Sequence, residues 1–327
     1  MDETYDYIEI IRNYINHPRI NYHLRKKEND NFNQVYSCMD VMGDVASAIN
    51  VYLKSDFGIK ANNTENIKDG TNYIICYGIL QALILQQDAV ENIASALKLK
   101  TSIYDSKALL EVREVRNKCI GHPTRKNRSY GKKSIPTFHY ISRPTLNKFG
   151  FQLLSSDQHS DKFESISIKS LLEVQKKEII KILDNLCKEI KKIEKDYKMK
   201  YKSKSLKKII FEETYLYRRE KLFSFSHNPH SIEKIAFGKF GFDAIKNSLN
   251  EVKQEMSRRN YPIESIDTIQ MIYNYLEYPL SKIESCLNEK EKLDDELYFI
   301  LISFIDQQIN ELGEILDEID KDFSEIN

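Results

Sequence analysis

Tryptophan is absent from the 327 residues, and glycine and proline are scarce, at ten and seven. With so few breakers the chain can run in long uninterrupted elements, and its wealth of Lys, Glu, Leu and Ile makes helices the expected kind. The same scarcity argues against a β-sandwich and against a glycine-rich nucleotide-binding sheet. The five cysteines, Cys38, Cys76, Cys119, Cys187 and Cys286, are odd in number and widely separated. They offer no disulfide framework and no zinc spacing, and free thiols fit a reducing compartment. The chain opens without a basic, apolar leader, and its longest apolar run, 73–85, interrupted by Gly78 and Gln81, is too short to span a bilayer. A cytoplasmic protein without membrane contact is the expectation. Walker loops, Rossmann fingerprints, Gly-x-Ser-x-Gly and His-Glu-x-x-His motifs are all missing, so neither cofactor nor metal is expected.

Net charge is also missing, because 49 basic residues cancel 49 acidic ones. The cancellation hides a segregation. Seven basic residues and no acidic one lie between Arg116 and Lys133, and ten lysines lie between Lys188 and Lys208. The stretch from Glu289 to Asn327 reverses this, with thirteen acidic residues against three lysines. Basic blocks attract phosphodiester backbones, although solvated helix faces and loops explain many such runs equally well. The acidic stretch either shields basic surface within the molecule or is merely solvated.

Apolar spacing predicts helices over 3–16, 31–54, 71–97, 106–120 and 170–200, with Pro18 ending the first. The helix over 71–97 is apolar on nearly every side in its first half, which places it in the middle of a bundle. Between the last two, 137–141 and 150–154 read as strands of a hairpin, and 163–168 as a third strand. Further helices are expected near 206–225, 231–259, 265–288 and 290–323, after a basic link at 198–205. The organisation read from this is an N-terminal helix and linker over 1–29, a helical bundle over 30–203 with a β-insertion near 136–168, and a second helical domain over 204–327. The fold class is mainly α.

One segment carries chemistry. Glu111-Val-Arg-Glu-Val-Arg116-Asn117-Lys-Cys-Ile-Gly121-His122-Pro123 predicts a helix that ends at a glycine, with an Arg-Asn pair in its last turns and a histidine just beyond. On an unbroken helix the six-residue step from Arg116 to His122 would set the two about 240° apart. A break at Gly121, in the left-handed conformation that ends many helices, would fold His122 back beside Arg116. Read only as local structure, the same residues are a helix terminus with a basic last turn, a glycine and a proline exit.

Arg-polar-(several residues)-His at the end of the third helix of a four-helix bundle resembles the signature of HEPN domains. Arg116, Asn117 and His122, with five residues between Arg and His, match that signature, and the resemblance covers about 30–200. It implies an antiparallel HEPN-like bundle and a metal-independent endoribonuclease that pairs two motifs across a homodimer. Such proteins act as toxin-like effectors in anti-phage defence or toxin–antitoxin systems, with an antitoxin or defence protein as a further partner. Arg116 would bind the phosphate oxygens, His122 would move a proton near neutrality, and Asn117 would orient one of them. Lys118, Arg125, Lys126 and Arg128 would hold the RNA. The 2′-hydroxyl is the nucleophile, so the expected product is a 2′,3′-cyclic phosphate. The resemblance also admits a non-catalytic dimerisation or RNA- or protein-binding module.

The chain departs from the family in three ways. Thr124 stands where one subgroup has a tyrosine, so regulation by modification of that tyrosine is not expected. No second motif follows in the C-terminal half, so a composite site needs a second chain. Arg12, Asn13 and His17 satisfy the same short pattern at the N-terminus, on a helix without an adjoining basic block.

Overall fold

A computed structural model describes residues 3–25, 30–55, 65–121, 126–130, 133–224 and 232–324, with backbone alone for 65–69, 126–130, 133–135 and 232–234. Eleven α-helices among the described residues and one small antiparallel sheet make the protein mainly α. It forms two compact units, Met1–Ile15 with Leu24–Ile190, and Asn16–His23 with Lys191–Asn327.

The first unit contains α1 (Glu3–Asn16, to Ile15), α3 (Asn31–Lys54), α4 (Glu65–Ala96), α5 (Lys107–Arg116) and α6 (Ile168–Tyr201, to Ile190). Its core joins Tyr52 of α3, Cys76, Leu80 and Leu83 of α4, Val112 and Val115 of α5 and Leu172 of α6. Between α5 and α6 stands a sheet in the order β1 (Lys126–Tyr130), β2 (Lys133–Ile141), β3 (Gly150–Ser156), β4 (Asp161–Ser167), every pair antiparallel. Phe151, Leu153 and Ile166 carry it onto the same core. Only a glycine fits at 150, where a Cβ would meet the Ile166 carbonyl oxygen of the adjacent strand at 2.2 Å. Tyr52 donates to the Lys148 carbonyl and Lys148 to the Ser55 carbonyl, tying the β2–β3 connection to α3.

Several expectations are revised. The expected hairpin and third strand are present as β2, β3 and β4, and a fourth strand joins them because the polar segment Lys126–Tyr130 pairs with Lys133–Thr137. Pro18 begins a helix, α2 (Pro18–Arg25), rather than merely ending one; proline at the first helical position forfeits only an N–H that lacks a helical partner anyway. The helix α4 is long and apolar enough to cross a bilayer by length and composition, with 56% of that window buried inside the structure. It is not apolar and buried all round: Ile74, Tyr77 and Leu85 lie exposed on one side.

The second unit holds the end of α6 with α2 as far as His23, α7 (Lys207–Ile210), α8 (Tyr215–Ser224), α9 (Ile232–Arg258), α10 (Asp267–Leu287) and α11 (Asp295–Ser324). The single helix expected over 206–225 is broken between α7 and α8. Leu249, Val252, Ile272, Ile305 and Leu312 lie at the centre of its core. The acidic helix α11 neutralises part of the second basic block: Asp322 pairs with Lys198, Asp317 with Lys207, and Asp320 accepts from the Leu206 and Lys207 amides.

Candidate nucleic-acid interface

The helix carrying the Arg-Asn pair is positioned from both ends. At its start Ser106 Oγ accepts from the Leu109 amide at 3.3 Å and donates to Glu178 of α6 at 2.7 Å. The preceding turn is held by Glu91, which accepts from Ser102 Oγ and the Ile103 amide, each at 2.9 Å. At its other end α5 passes at Asn117 into a single π-helical turn, Asn117–Gly121. The wider turn carries one residue more per hydrogen bond, a feature frequent at functional sites. The expected α-helix to 120 and left-handed Gly121 are both corrected here: the backbone of Gly121 is not in the left-handed region.

The π-turn brings Gly121 against the Arg116 side chain. A Cβ on Gly121 would stand 2.9 Å from Arg116 Nη1 and 3.3 Å from Asn117 Oδ1. The next residue in the chain is His122. It and Arg125 lie outside the described residues, as do the side chains of Lys126 and Arg128, whose backbones stand in β1 opposite Thr137 and Ile135.

Arg116 is half-buried, and its partners are neutral. Its Nε and Nη2 donate to Gln81 Oε1 of α4 at 3.1 and 2.8 Å, and its Nη1 donates to Asn117 Oδ1 at 3.1 Å. No carboxylate among the described residues pairs with it. The neighbouring cations differ: Arg113 Nη2 pairs with Asp88 at 2.5 Å, and Lys118 Nζ with Glu164 of β4 at 3.3 Å. A guanidinium has five N–H groups, and three of those on Arg116 are used. One on each of Nη1 and Nη2 remains, next to the Asn117 Nδ2 amide, which has no acceptor among the described residues. Arg116 and Asn117 together therefore present donors, and a positive charge that no carboxylate among the described residues compensates, an arrangement that suits a phosphate oxygen.

Cys119, within the turn, is buried beside Cys76, and burial pushes both thiols up to about 12, so each stays protonated and packs as a small apolar group. The N-terminal match to the pattern is engaged elsewhere. Arg12 pairs with Glu9, and His17 stands 3.6 Å from Asp322. His227 and His230 lie outside the described residues. Among the described residues no three His, Cys, Asp or Glu side chains gather as a metal site would require. Sequence reasoning missed Gln81, the residue that holds Arg116; its one signal was a polar side chain interrupting the longest apolar run. Comparison with protein-family models, curated proteins and solved structures found no match.

Proposed function

We propose that this chain is a metal-independent endoribonuclease of the HEPN type, a cytoplasmic toxin-like effector in bacterial anti-phage defence or a toxin–antitoxin system. The observation that carries the reading is a half-buried Arg116 held, among the described residues, by neutral oxygens, with the residue before His122 packed against its guanidinium. RNA supplies its own nucleophile, so the protein needs only a proton acceptor, a proton donor and charge stabilisation. His122 takes the proton from the 2′-hydroxyl as its oxygen attacks phosphorus. Arg116 and Asn117 bind the non-bridging oxygens whose charge grows, the 5′-oxygen leaves with a proton from a second acid, and a 2′,3′-cyclic phosphate remains. One chain carries one motif in its bundle, so the second acid comes from a second copy.

The exposed side of α4 supports that dimer. Ile74, Tyr77 and Leu85, separated by three and then eight residues, lie on one side of the helix that also carries Gln81. Dimerisation through this face would bring two Arg116 sites close together. RNA runs along the basic segment of Arg125, Lys126 and Arg128. Lys118 is held by Glu164 instead and is left out of the RNA contacts; the alternative reading is a binding module without turnover. An antitoxin or defence-system protein completes the list of partners.

The two readings separate on variants of the motif. His122→Ala should bind single-stranded RNA with unchanged affinity and lose cleavage in excess EDTA, whereas Arg116→Ala should lose both. Unchanged cleavage by His122→Ala ends the catalytic reading, and wild-type binding without cleavage supports the module.

A further inference from the structure

In the first unit, α1, α3, α4 and α6 line a half-open cavity of about 220 Å³. Its walls include Ile49 and Leu53 of α3 and Leu172 and Ile179 of α6. Its polar wall includes Gln86, only 6% exposed. The direction in which that amide points is set by a relay of three buried glutamines.

Two backbone carbonyls anchor the relay, and a carbonyl can only accept. Gln175 Nε2 donates to the Leu83 carbonyl at 2.9 Å, and Gln87 Nε2 donates to the Leu109 carbonyl at 3.3 Å. The second N–H of Gln87 then meets Gln175 Oε1 at 2.9 Å, and the second N–H of Gln175 meets Gln86 Oε1 at 3.0 Å. Reversing Gln86 would set donor against donor. Its Nε2, with two N–H groups, is therefore turned away from Gln175 and makes no hydrogen bond to the described residues. A mainly apolar cavity into which a few polar groups converge is the usual form of a ligand site.

We propose that this cavity binds a small carboxylic acid, its apolar body against the aliphatic walls and its carboxylate on Gln86 Nε2. A cavity of about 150 Å³ accommodates benzene, so this one suits a ligand of about nine non-hydrogen atoms. The mouth favours an anion over a neutral carbonyl or a cation. Lys169 and Lys176 flank it against Glu173, which sits 3.9 Å from Lys169, while Lys176 makes no ion pair among the described residues. The proposal stands apart from the ribonuclease reading, since none of these residues belongs to that site.

Benzoate is a suitable probe, with benzylamine as a cationic control of similar shape, in saturation-transfer NMR titrations on the full chain. Wild type should bind benzoate saturably and benzylamine at least tenfold more weakly. Gln86→Glu keeps an oxygen toward Gln175 but turns a second carboxylate oxygen into the cavity, and should weaken benzoate at least tenfold. Ile49→Phe, on a half-exposed wall position, should fill the cavity and abolish binding of both probes. Absence of saturable benzoate binding to wild type, equal affinity for the two probes, or an unchanged benzoate affinity in either folded variant overturns the proposal. Should circular dichroism show Gln86→Glu unfolded, Ile49→Phe and the benzylamine control decide it alone.

Discussion

Gln81 is to Arg116 what a positioning residue is to a catalytic group: one oxygen accepts two of the guanidinium N–H groups and fixes the plane of the fork without discharging it. The distinction is testable. Gln81→Ala should lower kcat for RNA cleavage about tenfold to a hundredfold through misplacement of the fork. Its cost in stability should stay near the 1 kcal/mol of an ordinary hydrogen bond. Gln81→Glu keeps both contacts and gives Arg116 a carboxylate partner, so it should raise KM for RNA. Wild-type kinetics in Gln81→Glu would contradict the claim that the charge is kept uncompensated for a phosphate. Gly121 acts on the same group from the other side. A methyl at 2.9 Å from Arg116 Nη1 must displace the flexible guanidinium tip rather than the backbone, so Gly121→Ala should cut cleavage at least tenfold while moving Tm by only a few degrees. Arg116, Asn117 and Gly121 were legible because they lie together in sequence. Gln81 was not, because it stands 35 residues away from Arg116, and only the folded packing of α4 against α5 reveals the pair.

Among the elements, α4 does three things at once. Its buried side makes the core through Cys76, Leu80 and Leu83, Gln81 holds the site, and its exposed side leaves Ile74 75% open to solvent. An Ile74→Asp substitution therefore has little to lose in the fold. If the dimer closes on this side, Ile74→Asp should yield monomers in sedimentation velocity with unchanged Tm, and cleavage should fall with the dimer. A wild-type protein that is monomeric at micromolar concentration and still cleaves RNA would refute the composite site. Helices were the most legible level, since 3.6-residue periodicity marks any segment with one buried face; α1, α3, α6 and α9 fall within two residues of their expected bounds. The misses have physical causes. Lys126–Tyr130 has no alternation to read, because its pairing with β2 and not its own apolar pattern makes it a strand. The π-turn leaves no trace in periodicity, because five residues are too few to show a changed period.

At the scale of the molecule, a chain with no net charge segregates its basic and acidic residues along the sequence. The second basic block is partly discharged by α11, and within the same unit Glu255 is buried beneath Arg258, Arg259 and Lys204. Hydrogen bonds from Arg258, then Arg259 and Lys204, hold Glu255 at about 2 despite its burial; His17 and Lys198 hold Asp322 at about 2. The ordinary values are 4.5 and 3.8, so between those and 2 the unfolded chain binds more protons than the folded one. Stability from these two groups is complete above about pH 4.5 and drains away as pH falls toward 2. Urea midpoints should drop across that window, and Glu255→Gln should flatten part of the drop. At neutral pH the same variant should cost about 3 kcal/mol, because the fully buried Arg259 loses its carboxylate partner. A pH-independent midpoint between 5 and 2 would show that neither carboxylate is held as described.

On the proposed function, Arg116 and His122 make one site for the attack of an RNA 2′-hydroxyl on its own phosphate. The most direct measurement incubates the wild-type protein, in excess EDTA, with an RNA oligonucleotide and with the same oligonucleotide carrying 2′-deoxy sugars throughout, and resolves the ends by mass spectrometry. Cleavage of the RNA alone is expected, with every new 3′ end a 2′,3′-cyclic phosphate and none formed by Arg116→Ala or His122→Ala. Cleavage of the deoxy strand, 3′-hydroxyl ends, or equal cleavage by either variant would contradict it.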